Sequence, residues 1–206
     1  MSTFDRKAHW EAIYKTKPLE KVSWYQPKPK TSLELIGSLN LPKDAAIIDI
    51  GGGDSFLVDH LIELGFTNLT VLDISKSAID RAKERLGDNS EKIIWIESDI
   101  LDFQPEISYD LWHDRAALHF LTSDSEIKSY VSLVNSSIQE NGAMVVGTFS
   151  ENGPTKCSGI PIKQYSSSAL STMFTEHFEC IQQLQIDHET PFDTIQNFTF
   201  GVFKRL

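Results

Sequence analysis

The chain has 206 residues, of which 29 are acidic and 19 basic, so its formal net charge is −10. Hydrophobic residues make up 40% and charged residues 23%, which is typical of a globular protein and argues against wholesale disorder. The negative balance argues against nonspecific binding to nucleic acid, which needs clustered Lys and Arg. Because no stretch has the length of a membrane span or the apolar core of a signal peptide, we expect a cytoplasmic protein without a membrane partner. The two cysteines lack zinc-binding spacing, and we expect no metal site.

The first forty residues predict two helices separated by an aromatic segment. Apolar residues at helical spacing indicate a helix over residues 4–15. Prolines exclude a regular helix from residues 17–30, which contain Trp24 and Tyr25. The next helix is predicted around residues 33–39.

From residue 46 onwards, short apolar runs alternate with helical patterns. Five strands are predicted at residues 46–50, 69–72, 93–96, 109–113 and 143–149. One helix is predicted at residues 56–64, and a second begins after a cap at Ser75. A third helix begins at a capping box formed by Ser123 and Glu126, and Asn141-Gly142 breaks the chain after it. Two further runs, residues 178–186 and 197–203, predict an antiparallel hairpin. This alternation predicts an α/β fold in which helices cover both faces of a mostly parallel sheet.

The strongest motif is the segment Asp49-Ile50-Gly51-Gly52-Gly53-Asp54-Ser55, directly after the first strand. Ligands of open α/β sheets bind beyond the carboxyl ends of the strands, where glycines let the backbone come close. Phe56 is too bulky for a dinucleotide fingerprint, and the Gly-Lys-Ser/Thr of a P-loop is absent. Asp49 and Asp54 would repel pyrophosphate. They suit a ligand with cationic groups, such as the ammonium and sulfonium of S-adenosylmethionine.

Two more acids end the next two strands. Asp73 ends the second strand and can accept hydrogen bonds from both hydroxyls of a ribose. Asp99 follows the third strand and can accept a hydrogen bond from an adenine amino group. Each acid alone is typical of a solvated strand end. Acids at three successive strand ends, together with the glycine loop, indicate a binding site.

The order Asp-x-Gly-x-Gly-x-Ser, then Asp73, then Asp99 resembles class I S-adenosylmethionine-dependent methyltransferases over about residues 32–206. The resemblance implies a Rossmann-like, seven-stranded sheet in the order 3-2-1-4-5-7-6 with strand 7 antiparallel. It also implies a single domain over residues 1–206, with residues 1–31 as an aromatic cap over the cofactor and 32–206 as the core. Ser55 stands where many members have glycine. The cofactor would be S-adenosylmethionine, the product S-adenosylhomocysteine, and the binding residues Asp49, Gly51, Gly52, Gly53, Ser55, Asp73, Ile74, Asp99 and Ile100.

A second, shorter resemblance concerns Asp114-Arg115-Ala116-Ala117-Leu118, which is similar to a segment of thiopurine methyltransferases. Trp10-x-x-x-Tyr14 and Trp24-Tyr25-Gln26 resemble the aromatic cap of the same enzymes. The resemblance implies that Arg115 holds the cofactor carboxylate or the substrate. It also implies that Trp10, Tyr14, Trp24 and Tyr25 close over the cofactor, and that Asp114 contributes mainly through its backbone.

Three further residues bear on the chemistry, and two of them, His119 and Cys157, are candidates for it besides Arg115. His119 follows the fourth strand and is our first choice for a base, whereas His113 lies on the strand and is predicted to be a buried structural histidine. Cys157 lies in residues 153–159, which we interpret as a mobile loop over the acceptor pocket. It is a weak candidate for a pocket residue.

The sequence therefore predicts a methyltransferase acting on a small-molecule nucleophile, with a thiol or another soft nucleophile as the first guess. One alternative is a protein-lysine methyltransferase, because an acidic surface attracts basic segments. A second alternative is a non-catalytic protein that binds S-adenosylmethionine. A nicotinamide dehydrogenase would be indicated instead if NAD competed equally well for the site.

Overall fold

A seven-stranded mixed sheet runs through the molecule in a computed structural model that describes residues 4–206. Its strands are β1 (Ala46–Ile50), β2 (Asn68–Asp73), β3 (Ile93–Glu97), β4 (Tyr109–Arg115), β5 (Ile138–Phe149), β8 (Phe178–Glu189) and β9 (Ile195–Arg205). Two short strands, β6 (Lys156–Cys157) and β7 (Ile160–Pro161), form a separate hairpin. The order β3-β2-β1-β4-β5-β9-β8 is the predicted order once the hairpin strands are counted. The first five strands are parallel and β9 is antiparallel to both its neighbours, which confirms the predicted fold.

Helices cover the sheet on both sides. They are α1 (Arg6–Thr16), α2 (Lys30–Ser38), α3 (Leu57–Glu63), α4 (Lys76–Leu86), α5 (Asp124–Ser137) and α6 (Ser167–Phe174). Both predicted caps are present: the Ser75 hydroxyl accepts a hydrogen bond from the amide of Ala78, and Ser123 and Glu126 form the capping box. Separate apolar clusters fill the two faces of the sheet, one around Trp112 and Tyr130 and the other around Ile47.

Several boundaries differ from the prediction. β5 begins at Ile138 rather than after Asn141-Gly142, because Asn141 takes a positive φ of 64° and absorbs the turn as an irregularity inside the strand. β4 extends beyond the predicted residue 113 to Arg115. α2 begins at Lys30, so the boundary predicted between residues 31 and 32 falls inside a helix. Residues 1–3 of the predicted cap lie outside the described residues.

The segment after β5 is more regular than the predicted mobile loop. Residues 156–161 form the β6–β7 hairpin, and its turn places Ser158 and Gly159 at positive φ. The helix α6, capped by the Ser166 hydroxyl, was not predicted, because its serine-rich start resembles a loop.

Candidate active site

A cavity opens at the carboxyl ends of the parallel strands, where the helices and the N-terminal segment leave the sheet uncovered. Its walls come from both ends of the chain: α1 and residues 19–32 on one side, and β9 with the segment after β5 on the other. We divide it at the boundary between β1 and β4. The acidic side carries Asp49, Asp73 and Asp99 at the ends of β1, β2 and β3, and the arginine side carries Arg115 at the end of β4.

The glycine loop forms the floor of the acidic side. The amides of Gly51 and Gly52 both donate to the carbonyl of Leu72 at the end of β2, at 2.8 and 3.2 Å, so the loop turns tightly over the sheet. Gly51 has a φ of +66°, a left-handed backbone conformation that glycine adopts readily because it has no Cβ atom. Gly51, Gly52 and Ser55 line the cavity.

Gly53 lies just beneath this floor and is not a lining residue. Its amide donates to Oδ2 of Asp73 at 3.1 Å. A Cβ atom at this position would stand 2.5 Å from that oxygen and 2.6 Å from Cβ of Ala78 on α4. Gly53 therefore allows the loop to pack against Asp73 and the start of α4.

Asp73 is held by backbone amides at the end of β2. Besides the bond from Gly53, its Oδ1 accepts a hydrogen bond from the amide of Ser75 at 2.8 Å. Burial is the main cause that raises the pKa of Asp73 from 3.8 to about 7, and the nearby carboxylates of Asp49 and Asp54 add to it. Ile74, the next residue, lines the cavity.

Asp99 and Ile100 line the cavity after β3, as the motif predicts for a neighbouring pair. Oδ1 of Asp99 accepts a hydrogen bond from the amide of Leu101 at 3.0 Å, and Oδ2 lies 3.6 Å from Nη1 of Arg6. Arg6 also pairs with Glu126 of α5, so α1 is tied to this wall.

Asp54 has a different role from the one the sequence suggested. Its carboxylate forms ion pairs with Arg81 at 3.0 Å and Arg85 at 2.7 Å, both on α4. Arg85 also pairs with Asp59 of α3. Although Asp54 borders the cavity, its charge is already compensated, and it joins the glycine loop to two helices.

The aromatic residues of the N-terminal segment form a lid. Trp10, Tyr14, Trp24 and Tyr25 all line the cavity. The ring of Trp10 lies 5.8 Å from that of Trp24 and 5.0 Å from that of Phe120, in edge-to-face contacts. The sequence missed Phe120, which follows the fourth strand and meets Trp10 from the opposite wall.

Arg115 is the cation of the arginine side. Its guanidinium lies 4.8 Å from the centre of the Phe198 ring on β9, and its Nη1 donates to the carbonyl of Trp24 at 3.4 Å. Nη2 is buried and has no hydrogen-bond partner within residues 4–206. Burial lowers the pKa of Arg115 to about 10, so the side chain remains a cation at neutral pH. Cys157, on β6, is buried and lines the same side.

Asp49 and His113 form a buried pair at the boundary between the two sides. They face each other across β1 and β4, with Oδ1 of Asp49 2.6 Å from Nδ1 of His113. Nε2 of His113 lies 2.9 Å from Oγ of Ser32 on α2. His113 is buried on its strand, as predicted, but all three residues also line the cavity.

Asp114 and His119 do not line the cavity, contrary to what we expected of them. Asp114 is fully buried on the opposite face of β4, where it accepts hydrogen bonds from the amides of Ala117 and Leu118 and the hydroxyl of Tyr130. It holds the turn after β4, which is a structural role.

His119 is fully buried behind the cavity wall between the rings of Phe120 and Phe149. Burial, together with the charge of Arg115, lowers the pKa of His119 to about 3. A histidine that stays neutral at this depth is poorly placed to take a proton from an acceptor, and this geometry argues against the base we predicted.

Other lining residues were not singled out in the sequence. Phe149 ends β5, where a ligand contact is expected in this type of sheet, but Gln196 and Phe198 lie on the antiparallel strand β9. Oε1 of Gln196 is buried without a hydrogen-bond partner in the described part of the chain. Ser32 belongs to α2 and looked like an ordinary helical residue.

Within residues 4–206, no group of three or more His, Cys, Asp or Glu side chains is arranged to hold a metal ion. None of the helices in that range is long and apolar enough to cross a membrane.

Comparison with known proteins relates the chain to methyltransferases. A methyltransferase-domain model matches residues 48–144. EEF1A lysine methyltransferase 2 of Danio rerio is 25% identical over 215 residues, covering 97% of this chain and 82% of the relative. The eEF1A lysine and N-terminal methyltransferase of Bos taurus is 26% identical over 125 residues, which cover 59% of this chain but only 17% of that protein.

Among solved structures, the N-methyltransferase NodS from Bradyrhizobium japonicum in complex with S-adenosylhomocysteine has the same fold. Its TM-score is 0.73 at 18% identity, over 98% of this chain and 99% of that one. Three observations point to the same family: the order of the sheet, the glycine loop beside three acids at strand ends, and the match to the methyltransferase-domain model. The chain is a class I S-adenosylmethionine-dependent methyltransferase, an enzyme that uses S-adenosylmethionine and releases S-adenosylhomocysteine.

Proposed function

We propose that this methyltransferase acts on a small-molecule nucleophile that carries an anionic group. The observation that carries the proposal is Arg115, a cation whose Nη2 is buried in the cavity wall without a partner among the described residues. An unpaired buried donor of this kind is costly, whereas a carboxylate or thiolate in the cavity would satisfy it with a charge-assisted hydrogen bond. An acceptor lysine reacts as a neutral amine and brings no negative charge, so it would leave the Arg115 cation without an ionic partner.

In this proposal the cofactor occupies the acidic side. The glycine loop with Gly51, Gly52 and Ser55 supports its methionine portion, Asp73 accepts the ribose hydroxyls, and Asp99 with Ile100 borders the adenine. The aromatic lid covers the sulfonium, because aromatic faces stabilise cations. The acceptor then occupies the arginine side, among Phe149, Phe198 and Cys157.

A thiol is the first nucleophile to test. The Arg115 cation would favour its ionised form, and aromatic walls suit a polarisable sulfur. The cofactor supplies the reactive methyl group, so the protein has to position the acceptor in line with it and exclude water.

A protein-lysine acceptor is the second candidate. It is favoured by the EEF1A lysine methyltransferase 2 relative and by a cleft outside the lid. This cleft is lined by two cations, Arg6 and Lys7, which pair with three of its five carboxylates. The excess of carboxylates would attract a basic segment, and the five are Asp5, Glu97, Asp99, Asp102 and Glu126.

The experiment incubates the purified chain with methyl-tritiated S-adenosylmethionine and a cell extract, then separates small molecules from protein. We expect label in the small-molecule fraction. Arg115→Gln should reduce the initial rate of this labelling about 100-fold, mainly by raising the KM for the acceptor, because the anionic group of the acceptor loses its partner. Lys92→Gln, which removes an exposed cation far from the cavity, is the matched control and should leave labelling unchanged.

Label confined to the protein fraction would favour the lysine alternative and contradict the small-molecule proposal. An unchanged KM in Arg115→Gln, with label still in small molecules, would contradict the anionic acceptor alone.

A further inference from the structure

The hydrogen-bonded series Ser32–His113–Asp49 favours one tautomer of the neutral histidine. Asp49 offers only acceptor oxygens, so Nδ1 of His113 carries the proton in the 2.6 Å bond. In the neutral imidazole Nε2 is then the acceptor, and the hydroxyl of Ser32, 2.9 Å away, is the donor to it. The lone pairs of Ser32 Oγ remain for a donor bound in the cavity, which Ser32 lines.

The three hydrogen-bonded residues lie at the boundary between the two sides of the cavity, which a methyl group would cross during transfer. Asp49 and His113 are register partners on β1 and β4, the two strands that separate the acidic side from the arginine side. Ser32 reaches the same point from α2, which covers this face of the sheet. An acceptor held by Arg115, two residues further along β4, would have its reacting atom near this boundary.

We propose that Ser32 and His113 form a proton relay that deprotonates the acceptor during methyl transfer, with Asp49 as the positioning residue. This inference rests on the proposed function. The acceptor atom forms its bond to the methyl carbon as the carbon–sulfur bond breaks, and that electron pair stays on the sulfur of S-adenosylhomocysteine. The acceptor proton passes to Ser32 Oγ while the Ser32 proton passes to Nε2 of His113. The resulting imidazolium is stabilised by Asp49 and later releases its proton to water.

The relay narrows the substrate class. A tertiary amine or a thioether has no proton to give, so the relay would serve no purpose for it. The acceptor is therefore methylated at an atom that still carries its proton when the molecule is bound, such as a hydroxyl or a thiol that Arg115 has not ionised. The anionic group held by Arg115 is then a second group of the same molecule.

Few other charges act on the histidine. β1 contributes Asp49, α2 contributes the neutral Ser32, and β5 contributes the apolar Val145 as register partner. On β4 itself, Asp114 interacts with His113 from the opposite face, and Arg115 lies beyond it. The pair with Asp49 is thus the direct contact that stabilises the imidazolium.

The test measures initial rates of tritiated methyl transfer to the small-molecule extract from about pH 6 to 9, with calorimetric binding of S-adenosylhomocysteine. Ser32→Ala should lower the rate at neutral pH about 100-fold and make it rise with pH, because ionisation in solution then replaces the relay. Ser32→Thr keeps the hydroxyl and should recover most of the rate. Ser38→Ala, on the same helix but bonded to the carbonyl of Leu35, is the matched control.

His113→Gln should show the same pH profile as Ser32→Ala. In both variants the dissociation constant of S-adenosylhomocysteine should stay within about threefold of the wild type. Unchanged rates and pH profiles in Ser32→Ala would overturn the relay. A loss of S-adenosylhomocysteine affinity that accounts for the whole rate loss would overturn it too, since the chain would then hold the cofactor. Failure of the wild type to label small molecules contradicts the proposed function itself, and with it the relay.

Discussion

Asp73 is the carboxylate that holds the glycine loop and that we propose as the acceptor of the ribose hydroxyls. Two backbone amides hold it, yet its burial and the neighbouring carboxylates leave it with a pKa of about 7. Because this folded-state pKa is raised, the protonated form stabilises the empty protein, and that contribution is lost as pH rises from about 4 through 7. Hydroxyl donors of a bound ribose would favour the ionised form.

We therefore predict that S-adenosylhomocysteine binding at pH 6 releases close to one proton, and that affinity rises between about pH 5 and 8. Calorimetry in buffers of different ionisation enthalpy measures the proton count. Asp73→Asn should abolish the release and weaken binding at least about tenfold, whereas the exposed Asp88→Asn should change neither. A pH-independent affinity in the wild type would show that Asp73 does not meet the ligand.

Gly53 illustrates a glycine required by its neighbours rather than by its φ. We predict that Gly53→Ala destabilises the protein by about 1–3 kcal/mol, because the new methyl group would collide with Asp73 and with Ala78 of α4. Gly37→Ala is the matched control: it lies within α2 with nothing within 4 Å, and it should stabilise by about 0.5–1 kcal/mol. Chemical denaturation gives both values. Equal effects at the two positions would contradict this account of Gly53.

At the scale of elements, the carboxylate of Glu11 fastens α1 to the start of α4, and Arg81 of α4 adds a hydrogen bond to the carbonyl of Tyr14 at 2.9 Å. Glu11 accepts hydrogen bonds from the hydroxyl of Ser75 and from the amide and hydroxyl of Ser77, all at the start of α4. Burial acts to raise the pKa of Glu11, but these hydrogen bonds outweigh it and lower the pKa to about 2. The lid helix is therefore held most firmly above about pH 4.5, and this stabilisation is lost as pH falls towards 2.

Replacing Glu11 by Gln should loosen the lid without unfolding the sheet. The neutral amide accepts weaker hydrogen bonds than the carboxylate from the donors of Ser75 and Ser77 at the start of α4. We expect faster proteolysis within residues 5–29 and a loss of about 1–3 kcal/mol in stability. Glu34→Gln, on the exposed face of α2, should leave cleavage unchanged. Faster cleavage throughout the chain would instead indicate that Glu11 supports the whole fold.

The predicted elements succeeded where local physics decides the structure. Buried parallel strands are short apolar runs, and glycines or acids mark their ends, so β1 to β4 could be predicted from the sequence. The contact between Ser32 and His113 could not, because it depends on how α2 packs over β4 across 81 residues of sequence. His119 looked accessible for a similar reason. Its position after β4 was predicted, but Phe149, which encloses it together with the adjacent Phe120, lies 30 residues further along the chain.

At the scale of the molecule, the cavity is closed by two ends of the chain that meet over the sheet. His188, on β8, donates from Nε2 to the carbonyl of Ser23 at 2.8 Å and accepts at Nδ1 from the amide of Gln26 at 3.2 Å. Burial and the charge of Arg115 lower the pKa of His188, so the neutral tautomer that makes both bonds is favoured. The lid segment of residues 19–26 is thereby tied to the C-terminal hairpin that supplies Gln196 and Phe198.

If this tie holds the lid, His188→Leu should open it while the sheet stays folded. We predict faster hydrogen exchange in residues 19–26, a stability loss of about 1–3 kcal/mol and weaker S-adenosylhomocysteine binding. Gln182→Ala, on the exposed part of β8, is the matched control and should leave all three unchanged. Because the folded-state pKa of His188 is lowered, the stability that separates the wild type from His188→Leu should shrink as pH falls below 6.5, where the unfolded chain takes up the proton. A difference that stays constant through this range would mean that the side chain contributes by packing alone and that the two hydrogen bonds do not hold the lid.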